Sequence, residues 1–349
     1  MLAYRKLEPA PGLTLKETEE PIAPGPDEVI VSVQAVGICG SDLHVAQWSD
    51  GYDFMRKHLP VTLGHEFAGV VETVGDNIKR VKPGDRVTIW PSSPCGECAN
   101  CAAGEPRNCA NKATLGLYRD GAFAPRVRMR GESAFLIPDH LPFRIAALTE
   151  PLCVGHQAVQ VGAVTKGDRV IVLGPGTIGQ AIAIFARKAG AAEIAIAGMD
   201  DPVRLKVCRE LGFDKTYDLA QPGERALMES EFSDADKVFE ATGHAESIRD
   251  GLAFLRTEGI LTMTGIHPTS VSFDATPFVR SRQQIRGSHG SAREDWHAVI
   301  QTLSDPATDV SPMITHELPL SRVAEGFELA ASRTAAKVLI YPQINGEEQ

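Results

Sequence analysis

The sequence predicts an α/β protein with a β-rich N-terminal domain followed by a doubly wound parallel sheet. Three observations carry this. Residues 1 to 90 fall into short strands broken by Gly and Pro. Arg169-Val170-Ile171-Val172-Leu173 is a continuously apolar strand, the kind a parallel sheet buries on both faces. A Gly-x-Gly-x-x-Gly turn and a helix follow it at once, and strand–helix alternation then continues to residue 289.

At 349 residues the chain exceeds one small core, so two domains are expected. A net charge of −10 argues against nucleic acid or an anionic membrane as the main partner. No run of 18 apolar residues exists to span a bilayer. The opening Met1-Leu2-Ala3-Tyr4-Arg5-Lys6 lacks the apolar core of a secretion signal. Seven cysteines in that setting predict a reducing cytoplasm, where clustered thiols bind metal more often than they pair.

In chain order, Pro24-Gly25-Pro26 is a turn into the β-rich run Val29 to Val36. Cys39-Gly40-Ser41-Asp42-Leu43-His44 comes next, then Gly64-His65-Glu66-Phe67-Ala68-Gly69, which opens an alternating strand from Phe67 to Val74. Thiolate, imidazole and carboxylate are the side chains zinc prefers. Taken alone, Cys39 is as well explained as a small buried hydrophobe. Lys82-Pro83-Gly84-Asp85 turns into the strand Arg86 to Trp90, and Lys166-Gly167-Asp168-Arg169-Val170 echoes it without matching flanks. One turn-into-strand solution is used twice.

Residues 91 to 112 are rich in Pro, Cys, Asn and Gly, with too little apolar surface to order themselves. Cys95, Cys98, Cys101 and Cys109 supply what would hold this lobe. Four thiolates close a tetrahedral zinc site, although two disulfides or an iron–sulfur cluster use similar spacings. Asp120-Gly121 marks a turn, and a helical passage begins at Ala146 to Leu152. Within it Glu150 either caps the helix or sits in an apolar setting that demands a partner.

In Gly174-Pro175-Gly176-Thr177-Ile178-Gly179, the first glycine permits the tight turn and the second lets a pyrophosphate approach the backbone. The third lets strand and helix pack, with the helix expected over Gln180 to Ala189. Further units follow: strand Ile194 to Ala197 with helix Pro202 to Leu211, strand Lys237 to Ala241 with Thr242-Gly243, and strand Gly259 to Thr264 with Gly265. Ile285 to His289 reads as the last strand, Glu294 to Leu303 and Ser321 to Ala331 as helices, and Ala335 to Tyr341 as a strand.

The spacing Gly-His-Glu-x-x-Gly-x-x-x-x-x-Gly-x-x-Ile from Gly64 to Ile78 resembles the signature of zinc-containing medium-chain dehydrogenases, polyol dehydrogenases among them. The resemblance implies a GroES-like catalytic domain, residues 1–152 and 290–349, carrying a structural zinc lobe near 91–112. It also implies a Rossmann domain, residues 153–289, and a final strand that rejoins the first domain. Cys39, His65, Glu66 and Glu150 would bind or surround a catalytic zinc, and Cys95, Cys98, Cys101 and Cys109 a structural one. Ser41 and His44 match the family's proton relay. As bare residues they are equally a turn hydroxyl and a surface imidazole.

The implied reaction is hydride transfer between a secondary alcohol, a polyol or sugar derivative, and NAD or NADP. A threonine-type amino alcohol dehydrogenase and a non-catalytic dinucleotide-binding protein are the alternatives. The cofactor set is Gly174, Pro175, Gly176, Thr177, Ile178, Gly179, Asp200, Arg204, Thr242, Gly243 and Gly265. Gly198 or Met199 stands where NAD-specific sites carry an acid, Asp200 and Asp201 come slightly late, and Arg204 would suit a 2′-phosphate beside them. The balance favours NAD. Trp48, Tyr118 and Arg119 are expected to flank the substrate. A cytoplasmic homodimer or homotetramer is expected. The remaining histidines are read as surface or packing residues, and Cys153 and Cys208 as core thiols.

Overall fold

The computed structural model describes residues 1–343. The chain forms two compact units, one from Met1–Glu150 with the segment from Trp296 onward, the other Pro151–Asp295. Among the described residues no helix is long and apolar enough to cross a membrane.

The first unit is organised by the strand Glu28–Gly37, whose β-branched residues favour a pleated surface. It pairs antiparallel with Glu66–Val74, with Arg126–Arg130 and with the C-terminal strand Lys337–Tyr341. Leu339 lies opposite Gly37, so the end of the chain closes the unit that its beginning opens. Val31, Val33, Val36, Phe67, Val71, Val338 and Ile340 form its core.

A helix, Gly40–Gln47, interrupts this β-rich region and is not expected from strand and turn signals. Its cause is local. Cys39 is the N-cap, and the Asp42 carboxylate three residues on accepts from the Cys39 backbone N–H at 3.0 Å, half of a capping box. The two echoing turns are built alike: Asp85 Oδ2 accepts from Lys82 N at 2.9 Å, and Asp168 Oδ2 from Thr165 N at 2.8 Å.

The second unit is a six-stranded parallel sheet. Its strands, Arg169–Leu173, Glu193–Gly198, Thr216–Asp218, Ala235–Glu240, Leu255–Met263 and Gln284–Gly287, lie in the spatial order third, second, first, fourth, fifth, sixth. The order reverses beside the first strand, and ligands of doubly wound sheets bind at that switch point. The helix after the glycine turn spans Thr177–Lys188, three residues earlier than expected, because Gly176 is its N-cap. Thr177 and Ile178 therefore lie within its first turn, at the helix end whose dipole favours an anion. The last strand ends at Gly287, short of His289, which lies beyond it.

Candidate active site

Within the first unit, the helix Gly40–Gln47 and the start of the strand Glu66–Val74 bring Cys39, His65 and Glu66 together. One ligand atom from each lies within 4.8 Å of the others. Glu150, in the first turn of the helix Thr149–Gly162, stands outside that trio but close enough for its charge to act on His65. Ser41 Oγ is 3.3 Å from His65 Nε2, while His44, three residues along the same helix, stacks on Tyr52 with ring centroids 6.2 Å apart.

Two charged residues that sequence reasoning missed complete the cluster. Asp42 is fully buried, with Oδ1 3.6 Å from His65 Nδ1, and neither atom has a hydrogen-bond partner among the described residues. Lys337 donates to Glu66 Oε2 at 2.7 Å and to the Ile38 carbonyl at 2.9 Å. Asp42 had a local signal, its N3 position after Cys39. Lys337 had none, standing 271 residues from its partner.

The electrostatics describe a site made for a cation. Burial pushes the Cys39 thiol up, and the Glu66 charge pushes it further. Burial likewise lifts the Glu150 carboxyl to about 7, with His65 opposing. Burial alone would lower the His65 pKa, but Asp42 and Cys39 hold it well above its ordinary value. Four acidic groups, Cys39, Asp42, Glu66 and Glu150, thus crowd around His65 and Lys337; Asp42, Glu66, His65 and Lys337 are buried, and Cys39 and Glu150 are half-buried. A divalent ion would let the thiol ionise and the imidazole stay neutral, so the donors fit zinc.

The second cluster is as tight. Sulfur–sulfur separations are 3.5 Å for Cys98–Cys101, 3.9 Å for Cys98–Cys109 and 4.0 Å for Cys95–Cys101. Tetrahedral zinc with Zn–S near 2.3 Å requires about 3.8 Å. Disulfides require about 2 Å. Four sulfurs this close would fit around one ion and leave no room for several irons. Backbone amides of Cys101 and Ala110 hold the Cys98 thiol down at about 6, whereas burial and the neighbouring Cys98 push Cys101 up to about 12. The set is short of positive charge, and a divalent ion would supply it.

In the second unit the glycine turn has the shape a pyrophosphate needs. Gly174 takes φ +112°, and a Cβ on Gly179 would lie 1.8 Å from the Gly174 carbonyl oxygen. A Cβ on Gly176 would meet little besides Arg204, so that face of the turn is open. Pro175 packs beside Gly198 and accepts from Gln180 Nε2 at 2.7 Å. Arg204 is ion-paired to Asp201, the N-cap of its helix, through Nε–Oδ1 at 2.9 Å. Asp200 is exposed with φ +52°, its N–H bonded to Asp218 Oδ1 at 2.8 Å. Thr242, Gly243 and Gly265 gather on Glu240, a fully buried acid at the end of its strand that the sequence reading passed over.

Comparison with known proteins places these features. Residues 25–139 match the alcohol dehydrogenase GroES-like domain, and residues 177–305 the zinc-binding dehydrogenase domain. The chain is 33% identical over 333 residues to a sorbitol dehydrogenase of Halalkalibacterium halodurans, covering 94% of this chain and 95% of that one. The chain is a zinc-containing medium-chain dehydrogenase.

This dehydrogenase is also 32% identical over 346 residues to an L-threonine 3-dehydrogenase of Saccharopolyspora erythraea, covering 97% and 98% of the two chains. A Sinorhizobium meliloti protein described as a zinc-binding dehydrogenase and crystallised with NADP superposes with a TM-score of 0.88 at 28% identity, covering 98% and 99%. The enzyme is a zinc-dependent oxidoreductase acting on CH–OH donors with a nicotinamide dinucleotide.

Of the residues expected to flank the substrate, Trp48 is pinned between Lys6 and Arg56, 5.3 and 5.6 Å from its ring. Tyr118 stacks on Phe54 at 4.9 Å, and Arg119 is ion-paired to Glu28. Two histidines do more than pack: His156 Nδ1 lies 2.6 Å from Asp295 Oδ1, and His267 Nε2 lies 2.9 Å from Glu240 Oε2. Neither pairing has a local signal, because each joins segments far apart in sequence.

Proposed function

We propose that the enzyme oxidises a secondary alcohol of a polyol or sugar derivative to the ketone, with NAD, using two zinc ions per chain. The observation carrying this reading is the convergence of Cys39, His65 and Glu66 within 4.8 Å beside the half-buried Glu150. Bound by these residues, zinc supplies a Lewis acid to the substrate oxygen, and the nicotinamide supplies or accepts the hydride. Lys337 holds Glu66 in place, and Asp42 faces His65 Nδ1, the usual support for a ligating imidazole. Ser41 and His44, three residues apart on one helix face, are assigned the proton path, a hydroxyl passing the proton to an imidazole. Cys95, Cys98, Cys101 and Cys109 hold the second ion, which orders the lobe and takes no part in chemistry.

The preference for NAD is supported by the Arg204–Asp201 ion pair. That guanidinium is already neutralised, and Asp200, Asp201 and Asp218 surround the end of the second strand, which disfavours a 2′-phosphate. The proposal includes a cytoplasmic homodimer or homotetramer; four thiols converging as metal ligands suit a reducing compartment.

A panel of polyols, sugar alcohols and amino alcohols, followed by absorbance of the reduced cofactor, tests the substrate class. Turnover confined to polyols supports the proposal. The likeness to threonine dehydrogenases favours a second reading, an amino alcohol substrate, and turnover confined to L-threonine would establish that instead.

A further inference from the structure

Glu240 ends the fourth strand of the parallel sheet and is fully buried. Its Oε1 accepts from the backbone N–H of Thr242 at 2.7 Å, the Thr242 hydroxyl at 2.6 Å and the Gly243 N–H at 2.9 Å. Its Oε2 accepts from one described residue, His267 Nε2 at 2.9 Å. His267 lies on the loop after the fifth strand, two residues past Gly265, and its side chain is 9% exposed. The other ring nitrogen, Nδ1, is buried without a hydrogen-bond partner among the described residues. The Glu240 bond is therefore the polar contact that fixes the ring. Gly265 leaves the path clear, since a Cβ there would lie 2.7 Å from Glu240 Oε2.

One carboxylate thus draws together the loops after the fourth and fifth strands. In a sheet of this order the glycine turn after the first strand takes the pyrophosphate, and the second half of the sheet takes the nicotinamide nucleoside. We propose that His267 is a positioning residue for the nicotinamide half of the dinucleotide, latching the Gly265–His267 loop to the Thr242-Gly243 loop through Glu240. The inference rests on the dinucleotide reading above. Without the imidazole, Oε2 of a buried carboxylate loses its donor. The two loops then separate while the pyrophosphate turn is untouched.

The test compares NADH with ADP, which lacks the nicotinamide nucleoside, by calorimetry or ligand fluorescence on the zinc-loaded enzyme and three variants. His267→Leu removes the latch. His267→Gln restores it, because the amide Nε2 reaches the position of the imidazole Nε2. His267→Asn is too short to do so and replaces the leucine variant should that not fold. Expected are a roughly tenfold rise in the NADH Kd for His267→Leu or His267→Asn, ADP binding within about twofold of wild type, and wild-type NADH binding by His267→Gln. The proposal is overturned if His267→Leu binds NADH as wild type does, if ADP weakens equally, or if the glutamine variant fails to rescue. A wild-type enzyme that binds neither ligand would instead refute the dinucleotide reading itself.

Discussion

Replacing Lys337 by methionine keeps the length and most of the apolar stem while removing the charge opposite Glu66. The two side chains are 3% and 2% exposed, with Nζ and Oε2 2.7 Å apart. Removing one partner of a buried ion pair leaves an uncompensated charge and costs about 3–5 kcal/mol. The Ile38 carbonyl also loses its Lys337 donor. With a urea slope of about 3 kcal/mol per molar for a unit of this size, the unfolding midpoint should fall by about 1–1.7 M. Tryptophan fluorescence reports this unit directly, because Trp48, Trp90 and Trp296 all belong to it. The double variant Lys337→Met with Glu66→Gln should recover part of the loss, since the amide leaves no buried charge to strand. A midpoint for Lys337→Met within about 0.2 M of wild type would refute the assignment of this pair as a supporting ion pair.

Three further outcomes follow from the same geometry. Asp201→Ala frees Arg204 and should shift the kcat/KM ratio toward NADP by about tenfold, read from paired assays with the two cofactors; an unchanged ratio would remove Arg204 from cofactor discrimination. Cys98→Ser should release one zinc per chain, measured by metal analysis, and expose residues 91–112 to proteolysis while the rest stays protected. Burial raises the Cys208 thiol to about 12, so at pH 8 about one molecule in ten thousand carries its thiolate. Because that pKa is raised, the thiol contributes stability that is complete below its ordinary value of 9.0 and is lost as pH rises from there toward about 12. Alkylation at pH 8 should spare Cys208 in the native enzyme and modify it in urea.

What the sequence made legible was whatever is encoded locally. Arg169 to Gly179 reads directly as strand, turn and helix because each glycine meets a steric demand within ten residues. Cys95, Cys98, Cys101 and Cys109 converge because their spacing wraps the backbone around one point. The helix Gly40–Gln47 was hidden because its capping carboxylate, Asp42, sits in a stretch dominated by turn-forming residues. The Lys337–Glu66 and His267–Glu240 pairs were hidden for another reason. Each depends on register across a sheet or between two loops, which no single window of residues contains. Glu150 was legible as an acid in an apolar setting but not in its role, because cap and metal neighbour call for the same residue at the same helix turn.

The central claim, that Cys39 and His65 grip a zinc ion on which turnover depends, is tested most directly by Cys39→Ala. Metal content and NADH formation are measured on the same preparations. The account predicts two zinc ions per chain in the wild type and one in the variant, with turnover lost and NADH binding kept. A variant that retains both ions, or that still turns over substrate, would contradict it.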